Sequence, residues 1–411
     1  MNTSQKTKVL ILAEHFAPAY KAGGIVRCLE NLVVLLEHRF SFFVLTTNHN
    51  LNKGELLEDI VHDRWLPFTN GCMAFYASAK QRRLRTIRNI LHEVQPDIVY
   101  INGLYAPFFT LIPLLLFKCL KKRPIVILAP WGMLHSGSLS IKPLKKRFYL
   151  KLFKLAGLSK GIRWHATNEQ EKNDIHRWLG NAANVAIADA VPDSTEIAFV
   201  PIKKTKEMFR LITVSLVTPN KGHLRIINAL TELQEEIQAE YHIYGPLKDA
   251  LFWQTCLTKI NNLKSSVKVV YHGFLNPSDL ISALQDCHIF VLHSDGENFC
   301  QAIYEALMAG RPVITSDQTP WNELQEAKAG WNVKLHDSAG LKEAIKEAYS
   351  MNQALYDEFC LCAQHKAKDF ISNLNLEKQY DILFSYKVSA YSIYQNISEN
   401  NLQPSYPMKT V

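Results

Sequence analysis

Along the chain, short runs of apolar and β-branched residues alternate with longer stretches whose apolar positions recur every three or four residues. The runs at 8–13 (KVLILA), 40–47 (FSFFVLTT), 97–102 (DIVYIN), 124–130 (PIVILAP) and 163–167 (RWHAT) predict strands. A second series follows at 209–216 (FRLITVSL), 241–245 (YHIYG), 267–273 (VKVVYHG), 288–294 (HIFVLHS) and 311–316 (RPVITS). Between the strands the periodicity predicts helices, notably at 25–38, 106–120, 222–237, 248–263, 278–286 and 299–309. Continuously apolar strands alternating with helices argue for parallel sheets covered on both faces. The alternation runs through two series, so the expectation is an α/β chain with two doubly wound domains, not one large sheet. The break falls in VPDSTEIAFVPIKKTKE (191–207), with two prolines and mixed charge. This sets the expected domains at 1–195 and 208–373, with a helix in 374–390 and a flexible polar tail over 391–411.

Length agrees with this division, because 411 residues exceed the size at which one core keeps growing. With 47% hydrophobic and 20% charged residues, the composition is that of a globular protein. The longest apolar stretch, LYAPFFTLIPLLLF (104–117), is interrupted by proline and falls short of a membrane span. The first residues, MNTSQKTKVLILAEHF, do not resemble a signal peptide, so the expected compartment is the cytoplasm. Eight cysteines without a CxxC pair fit free thiols there, and no metal cage is read from them.

Charge changes the picture, because it is unevenly placed. Residues 1–200 hold 26 Lys and Arg against 15 Asp and Glu, a net of +11, whereas the remainder holds 20 against 23, a net of −3. No acidic residue occurs between Asp97 and Glu169, an interval that contains KCLKKR (118–123) and KPLKKRFYLKLFK (142–154). Arg82, Arg83, Arg85 and Arg88 lie just before it. Such a field suits an anionic partner: a membrane surface, a lipid diphosphate or nucleic acid. Leu144, Phe148, Leu152 and Leu155 recur at helical spacing among the lysines, as in a basic amphipathic helix on a bilayer, with Lys145, Lys146, Arg147 and Lys151 facing lipid. Core packing produces a similar pattern. Nucleic acid is the weaker reading, since no base-reading motif accompanies the basic segments.

In doubly wound sheets, ligands bind in the turns beyond the carboxyl ends of strands. After the first strand, HFAPAYKAGGIVRC places Gly23 and Gly24 before a helix, where bare amides can approach an anion. After the strand opening the second half, Lys221 adds a full charge where a helix begins. The richest turn is SDGENFCQAIYEALMAGRPVITSD (294–317). Glu297 stands just before a helix that starts at Phe299 or Cys300, and Glu305 lies eight residues further on, roughly 12 Å at the helical rise. A carboxylate in so apolar a segment costs free energy unless something binds it.

Ser294, Glu297, Phe299, Glu305, Gly310, Pro312, Val313 and Ser316 fall in register with a family signature, and the segment closely resembles that of glycosyltransferase family 4. Gly23–Gly24, Lys221–Gly222, His272–Gly273 and IYGP (243–246) match further turns, so the resemblance spans roughly residues 8–390. PWGML and HATNEQEKNDI look like a branch acting in bacterial surface-polysaccharide assembly. The resemblance implies a retaining enzyme of the GT-B fold, two Rossmann-like domains facing across a cleft. It implies acceptor on the N-terminal domain, donor on the C-terminal one, and the 374–390 helix returning to the first. Glu297 and Lys221 would be catalytic. Glu297 would hold the donor sugar, and Lys221 would neutralise the leaving diphosphate beside the amides of Cys300, Gln301 and Ala302, next to Phe299. Glu305 would accept the ribose hydroxyls, Gly24 would let the loop close, and the base would rest near Gly273 and Phe274. No cofactor is implied, because the nucleoside-diphosphate sugar is itself the donor substrate. No DxD metal motif occurs, so cationic side chains and the helix end would do a metal's work.

The chain also departs from the pattern. Leu216 stands where the family carries a second diphosphate-clamping Arg, and Asn298 and Cys300 replace small residues of the turn. Trp131 occupies the place of an acceptor-side His, with His135 a turn later; Trp131 is expected to stack on the acceptor or to belong to the core. Ala188, Asp189 and Ala190 replace an interdomain signature. Arg27, Arg311 and His223 are the candidates to replace the missing cation. The expected function is transfer of a sugar to a lipid-linked glycan at the inner membrane face. The alternatives are a soluble acceptor or a non-catalytic protein of this fold that binds a partner.

Overall fold

The computed structural model describes residues 6–385 other than 53, 121, 141, 194 and 206–208, so the expected 391–411 tail lies outside the described residues. The first sheet contains β1 (Thr7–Ala13), β2 (Phe40–Thr47), β3 (Trp65–Thr69), β4 (Cys72–Ala77), β5 (Ile98–Asn102), β6 (Ile125–Ala129), β7 (Ile162–Ala166) and β8 (Asn184–Ile187). Their order is β3-β4-β2-β1-β5-β6-β7-β8, all parallel except β3 with β4. The second contains β9 (Phe209–Val214), β10 (Ala239–Tyr244), β11 (Val267–Gly273), β12 (Ile289–Leu292), β13 (Val313–Ser316) and β14 (Gly330–Val333). It is wholly parallel, in the order β11-β10-β9-β12-β13-β14.

Both orders reverse beside one central strand. β1 lies between β2 and β5, Val9 pairing with Phe42 on one side and Ile98 on the other. β9 lies likewise between β10 and β12. Connections leave such a strand toward opposite faces of the sheet and so open a crevice at its carboxyl end. The turns after β1 and β9 are those that carry Gly24 and Lys221.

Alternation along the strands divides each core in two. Val9 and Ile11 pack with the helix Gly24–Leu36 on one face, whereas Leu10 and Leu12 pack with Leu84–Val94, Ile112–Lys118 and Pro143–Leu155 on the other. In the second sheet Leu211 faces His223–Leu233 and Ser338–Ser350, and Ile212 faces Pro277–Gln285 and Gln301–Met308. The last described helix, Leu376–Phe384, packs against the first sheet, not the second: Tyr380, Leu383 and Phe384 are buried in the same cluster as Phe40 and Tyr100. Arg163 fixes it there by donating to the carbonyls of Leu383 (2.5 Å) and Ser385 (2.8 Å).

The ten predicted strands all form, four more appear, and the helices are more numerous than predicted. Strands β3 and β4 read weakly because β3 is an edge strand with Pro67 in it, a residue tolerated only where no ladder hydrogen bond is needed. The predicted helix at 106–120 is two pieces, a wide turn over Pro107–Leu111 and an α-helix over Ile112–Lys118. No described helix is long and apolar enough to cross a membrane, and all eight cysteines are free.

Candidate active site

A cavity of about 400 Å³ lies between the two sheets, where the carboxyl ends of β1 and β9 face each other. Gly24, Phe274, Phe299, Cys300, Gln301 and Ala302 line it, together with Lys221, both glutamates, Trp131 and His135. Of the residues given a donor-side or acceptor-side role from sequence, Gly273 alone stays off the lining; it ends β11 with φ 75°, one residue before Phe274.

The turn after β12 is held by its neighbours. Ser294 Oγ and the Asp295 amide both donate to the Asn220 carbonyl, at 3.1 and 2.8 Å, and Ser316 Oγ donates to Ser294 O at 2.5 Å. Arg225 reaches Asp295 Oδ1 at 2.6 Å. These contacts join the turn to the loop carrying Lys221, whose ammonium lies 2.5 Å from Glu297 Oε1. Burial alone would lower the Lys221 pKa, but Glu297 outweighs it and the net direction is upward. Gly222 makes this approach possible: it has φ 79°, and a Cβ there would stand 2.1 Å from the His293 carbonyl oxygen.

The helix begins at Gln301, slightly later than predicted, with Cys300 in the left-handed region at φ 63°. A residue with a side chain pays roughly 1–2 kcal/mol for that conformation, so the smaller residues of the family turn have a backbone reason. The first amides of this helix have no intrahelical partners and point toward the cavity end. Glu305 is buried on the same helix, 4% exposed. Its partner comes from the other sheet: Arg27, on the helix after β1, pairs with Glu305 through Nη1 and with Asp193 through Nη2 at 3.1 Å. Burial pushes the Glu305 carboxyl up to about 7, with Arg27 acting in the opposite direction. Of the three candidates for the missing cation, Arg27 alone lines the cavity. Arg311 is fully buried and donates to backbone carbonyls of Leu284, Val200, Gly310 and Gln285. His223 is also fully buried, beside Ser215 and Tyr241, and desolvation lowers its pKa to about 4.

On the opposite wall Trp131 donates from Nε1 to Asn102 Oδ1 (2.9 Å) and packs against apolar clusters of both sheets. It therefore lines the cavity and belongs to the core at once. The His135 ring lies against Gly296, where an added Cβ would come within 2.3 Å of Cε1. Glu171, absent from the sequence-derived set, is buried and accepts from the amides of Gly132 (2.6 Å) and Thr167 (2.9 Å), which fixes the loop bearing Trp131. Lys21 lies 5.4 Å over the Phe274 ring, closing that end of the cavity from the first sheet. Arg27 and Lys21 flank the glycine pair, and that proximity was the available signal for both. Among the described residues no group of three His, Cys, Asp or Glu side chains is placed to hold a metal ion.

Comparison with known proteins sorts these features. Residues 194–360 match the family described as Glycosyl transferases group 1. A protein of Escherichia coli (strain K12) named for colanic acid biosynthesis, the glycosyltransferase WcaL, is 28% identical over 170 residues. That match covers 39% of this chain and 41% of WcaL, so the shared segment spans about two fifths of the relative. Among solved structures, the sucrose-phosphate synthase of Thermosynechococcus elongatus superposes with a TM-score of 0.69 at 14% identity, covering 92% of this chain and 99% of its own. HepE of Anabaena, solved with UDP and glucose, gives 0.64 at 14% identity, covering 92% and 98%. The chain thus takes the GT-B fold, and its residues 194–360 carry the Glycosyl transferases group 1 region.

Proposed function

We propose that this chain is a retaining glycosyltransferase of the family 4 kind, which moves a sugar from a nucleoside-diphosphate sugar to a growing surface polysaccharide carried on lipid. The observation that carries the proposal is the pairing of two carboxylates, partly buried Glu297 and buried Glu305, with two cations, Lys221 and Arg27 respectively, inside one cavity. A donor replaces these pairings with its own groups. Ribose hydroxyls donate to Glu305, donor-sugar hydroxyls donate to Glu297, and the diphosphate takes up Lys221 and the first amides of the Gln301–Met308 helix. Arg27, released from Glu305, is the second cation available to the diphosphate in place of the one that Leu216 lacks.

Departure of the nucleoside diphosphate puts negative charge on its terminal phosphate, and Lys221 and the helix end stabilise that charge from fixed positions. With two cations and a helix end supplied, the reaction does not depend on a divalent metal. Trp131 and His135, on the other wall, form the acceptor side. Support for a polysaccharide acceptor comes from the named role of WcaL, and for a nucleotide donor from the ligands of HepE.

The test is a panel of nucleoside-diphosphate sugars screened for thermal stabilisation, since a ligand that binds only the folded state raises the melting temperature. The stabilising donor is then incubated with lipid-linked acceptors, and the anomeric coupling of the product is read by NMR. Retention is expected. If no nucleotide-sugar stabilises the protein and none is hydrolysed or transferred, the proposal fails.

A further inference from the structure

The helix Pro143–Leu155 is seated on the first sheet by Leu150 and Phe153, each 2% exposed, and by Tyr149, whose hydroxyl donates to Leu104 O at 2.6 Å. Its outer side is apolar as well. Leu144, Phe148, Leu152 and Leu155 are 81, 64, 49 and 74% exposed. Steps of four, four and three residues put them in one row along the helix. Single exposed leucines are ordinary on a protein surface, but a continuous row marks a surface that something covers. The row therefore is not core, the alternative that its periodicity left open.

Its surroundings say what the cover is. Lys142, Lys145, Arg147, Lys151 and Lys154 are exposed on the same helix, and no carboxylate pairs with them among the described residues. Lys118, whose ammonium donates to the Ala156 carbonyl at the helix end, continues the basic rim toward Lys122, Arg123 and exposed Leu115. Lys146 is not part of the rim, contrary to the expectation from its place in the sequence. It turns inward, donating to Ser138 O at 2.5 Å beneath the Tyr105 ring. An apolar row bordered by unpaired long cations matches the boundary of an anionic bilayer, where the row enters the acyl edge and the ammonium groups rise to the phosphates.

We propose that this face docks the protein on an anionic membrane surface, the helix lying flat in the interface. The position has a geometric consequence. Through Lys146 the helix is bonded to the Ser136–Ser140 segment, whose Ser138 lines the cavity beside Gly137 and His135. The acceptor wall therefore lies next to the docked face, and a lipid-borne acceptor meets it without leaving the bilayer. Only this last step rests on the proposed transfer reaction; the docking itself does not.

The test is cosedimentation of the full chain, without substrate, with vesicles of phosphatidylcholine containing increasing phosphatidylglycerol, at low and physiological salt. The wild type is expected to pellet only with anionic vesicles, and less at higher salt. Changing Lys145, Arg147, Lys151 and Lys154 together to Glu should weaken partition by at least roughly a hundredfold, each cation contributing to the attraction. The same variant should keep the wild-type melting temperature and its stabilisation by nucleotide-sugar. Phe148→Ser should weaken binding while preserving its salt dependence, and Phe148→Trp should show a blue-shifted emission on adding anionic vesicles. A wild type that stays in the supernatant at every composition overturns the proposal. So does a quadruple variant that pellets as well as the wild type. A dimer in gel filtration that Phe148→Ser dissociates, without vesicle binding, would assign the row to a second copy of the chain. Loss of membrane binding with intact transfer to a soluble acceptor, or the reverse, separates this inference from the reaction proposed above.

Discussion

The two carboxylates of the cavity are held in different ways. Glu297 and Lys221 sit on turns that follow neighbouring strands of one sheet, tied together through the Asn220 carbonyl. Their pairing is set when that sheet folds. Glu305 and Arg27 come from helices on different sheets, and their pairing exists only while the two units are close. One end of the cavity is therefore built in advance, and the other is assembled by approach of the two halves. Under the proposed reaction this divides the work: the leaving diphosphate meets fixed charge, whereas binding at the ribose end is coupled to closure.

Removing the fixed charge should have the largest effect. Lys221→Ala is expected to lower the transfer rate about a hundredfold, on the scale of one preorganised contact. Circular dichroism melting then shows that the protein is folded, and a wild-type rate in the variant would deny the preorganised end its role. The conditional end should respond mainly through binding. Glu305→Gln is expected to raise the donor KM about tenfold with a smaller change in kcat, as a charge-assisted hydrogen bond to ribose weakens. An unchanged KM would move the ribose elsewhere.

Arg27→Met sharpens the contrast further. We expect several-fold slower transfer, together with a pH signature that Lys221→Ala lacks. A buried carboxyl whose folded-state pKa is raised takes up a proton on folding, so its contribution to stability falls as pH climbs toward that pKa and levels off above it. In the wild type the fall ends near pH 7. Without Arg27 the pKa rises further, so the melting temperature of the variant should keep dropping above pH 7 relative to the wild type. Parallel profiles would mean that Arg27 does not govern Glu305. The smallest effect is expected from EDTA, which should leave transfer near its starting rate. Loss of activity restored by a divalent metal would show that the two cations and the helix end do not suffice.

The same contrast explains what was legible in the sequence. Strands such as KVLILA and HIFVLHS are apolar on both faces because helices cover both, and a run of that kind is readable alone. The edge strands β3, β8 and β14 are short or bear a proline, and helices such as Glu169–Leu179 carry charge through most of their length, so neither leaves a strong pattern, whereas the seven-residue edge strand β11 does. Within the cavity, Glu297 and Glu305 stand out because both occur in one apolar segment. Arg27 is 278 positions from its partner, and Asp193 and Glu171 act through contacts that no local spacing encodes. The exposed row on Pro143–Leu155 was visible as a periodicity, but which way it faces was settled by Leu150 and Phe153 taking the inner side.

The return of Leu376–Phe384 to the first sheet has a consequence for biogenesis. Tyr380, Leu383 and Phe384 complete a core whose other members are made near the start of translation. While the ribosome extends the second unit, Phe40 and Tyr100 lack their aromatic neighbour and the Arg163 guanidinium lacks the carbonyls it finally binds. A nascent chain of this kind exposes an apolar seam until the Leu376–Phe384 helix emerges, and an unclosed seam invites aggregation or chaperone capture. The half that is synthesised first is thus the half that finishes folding last.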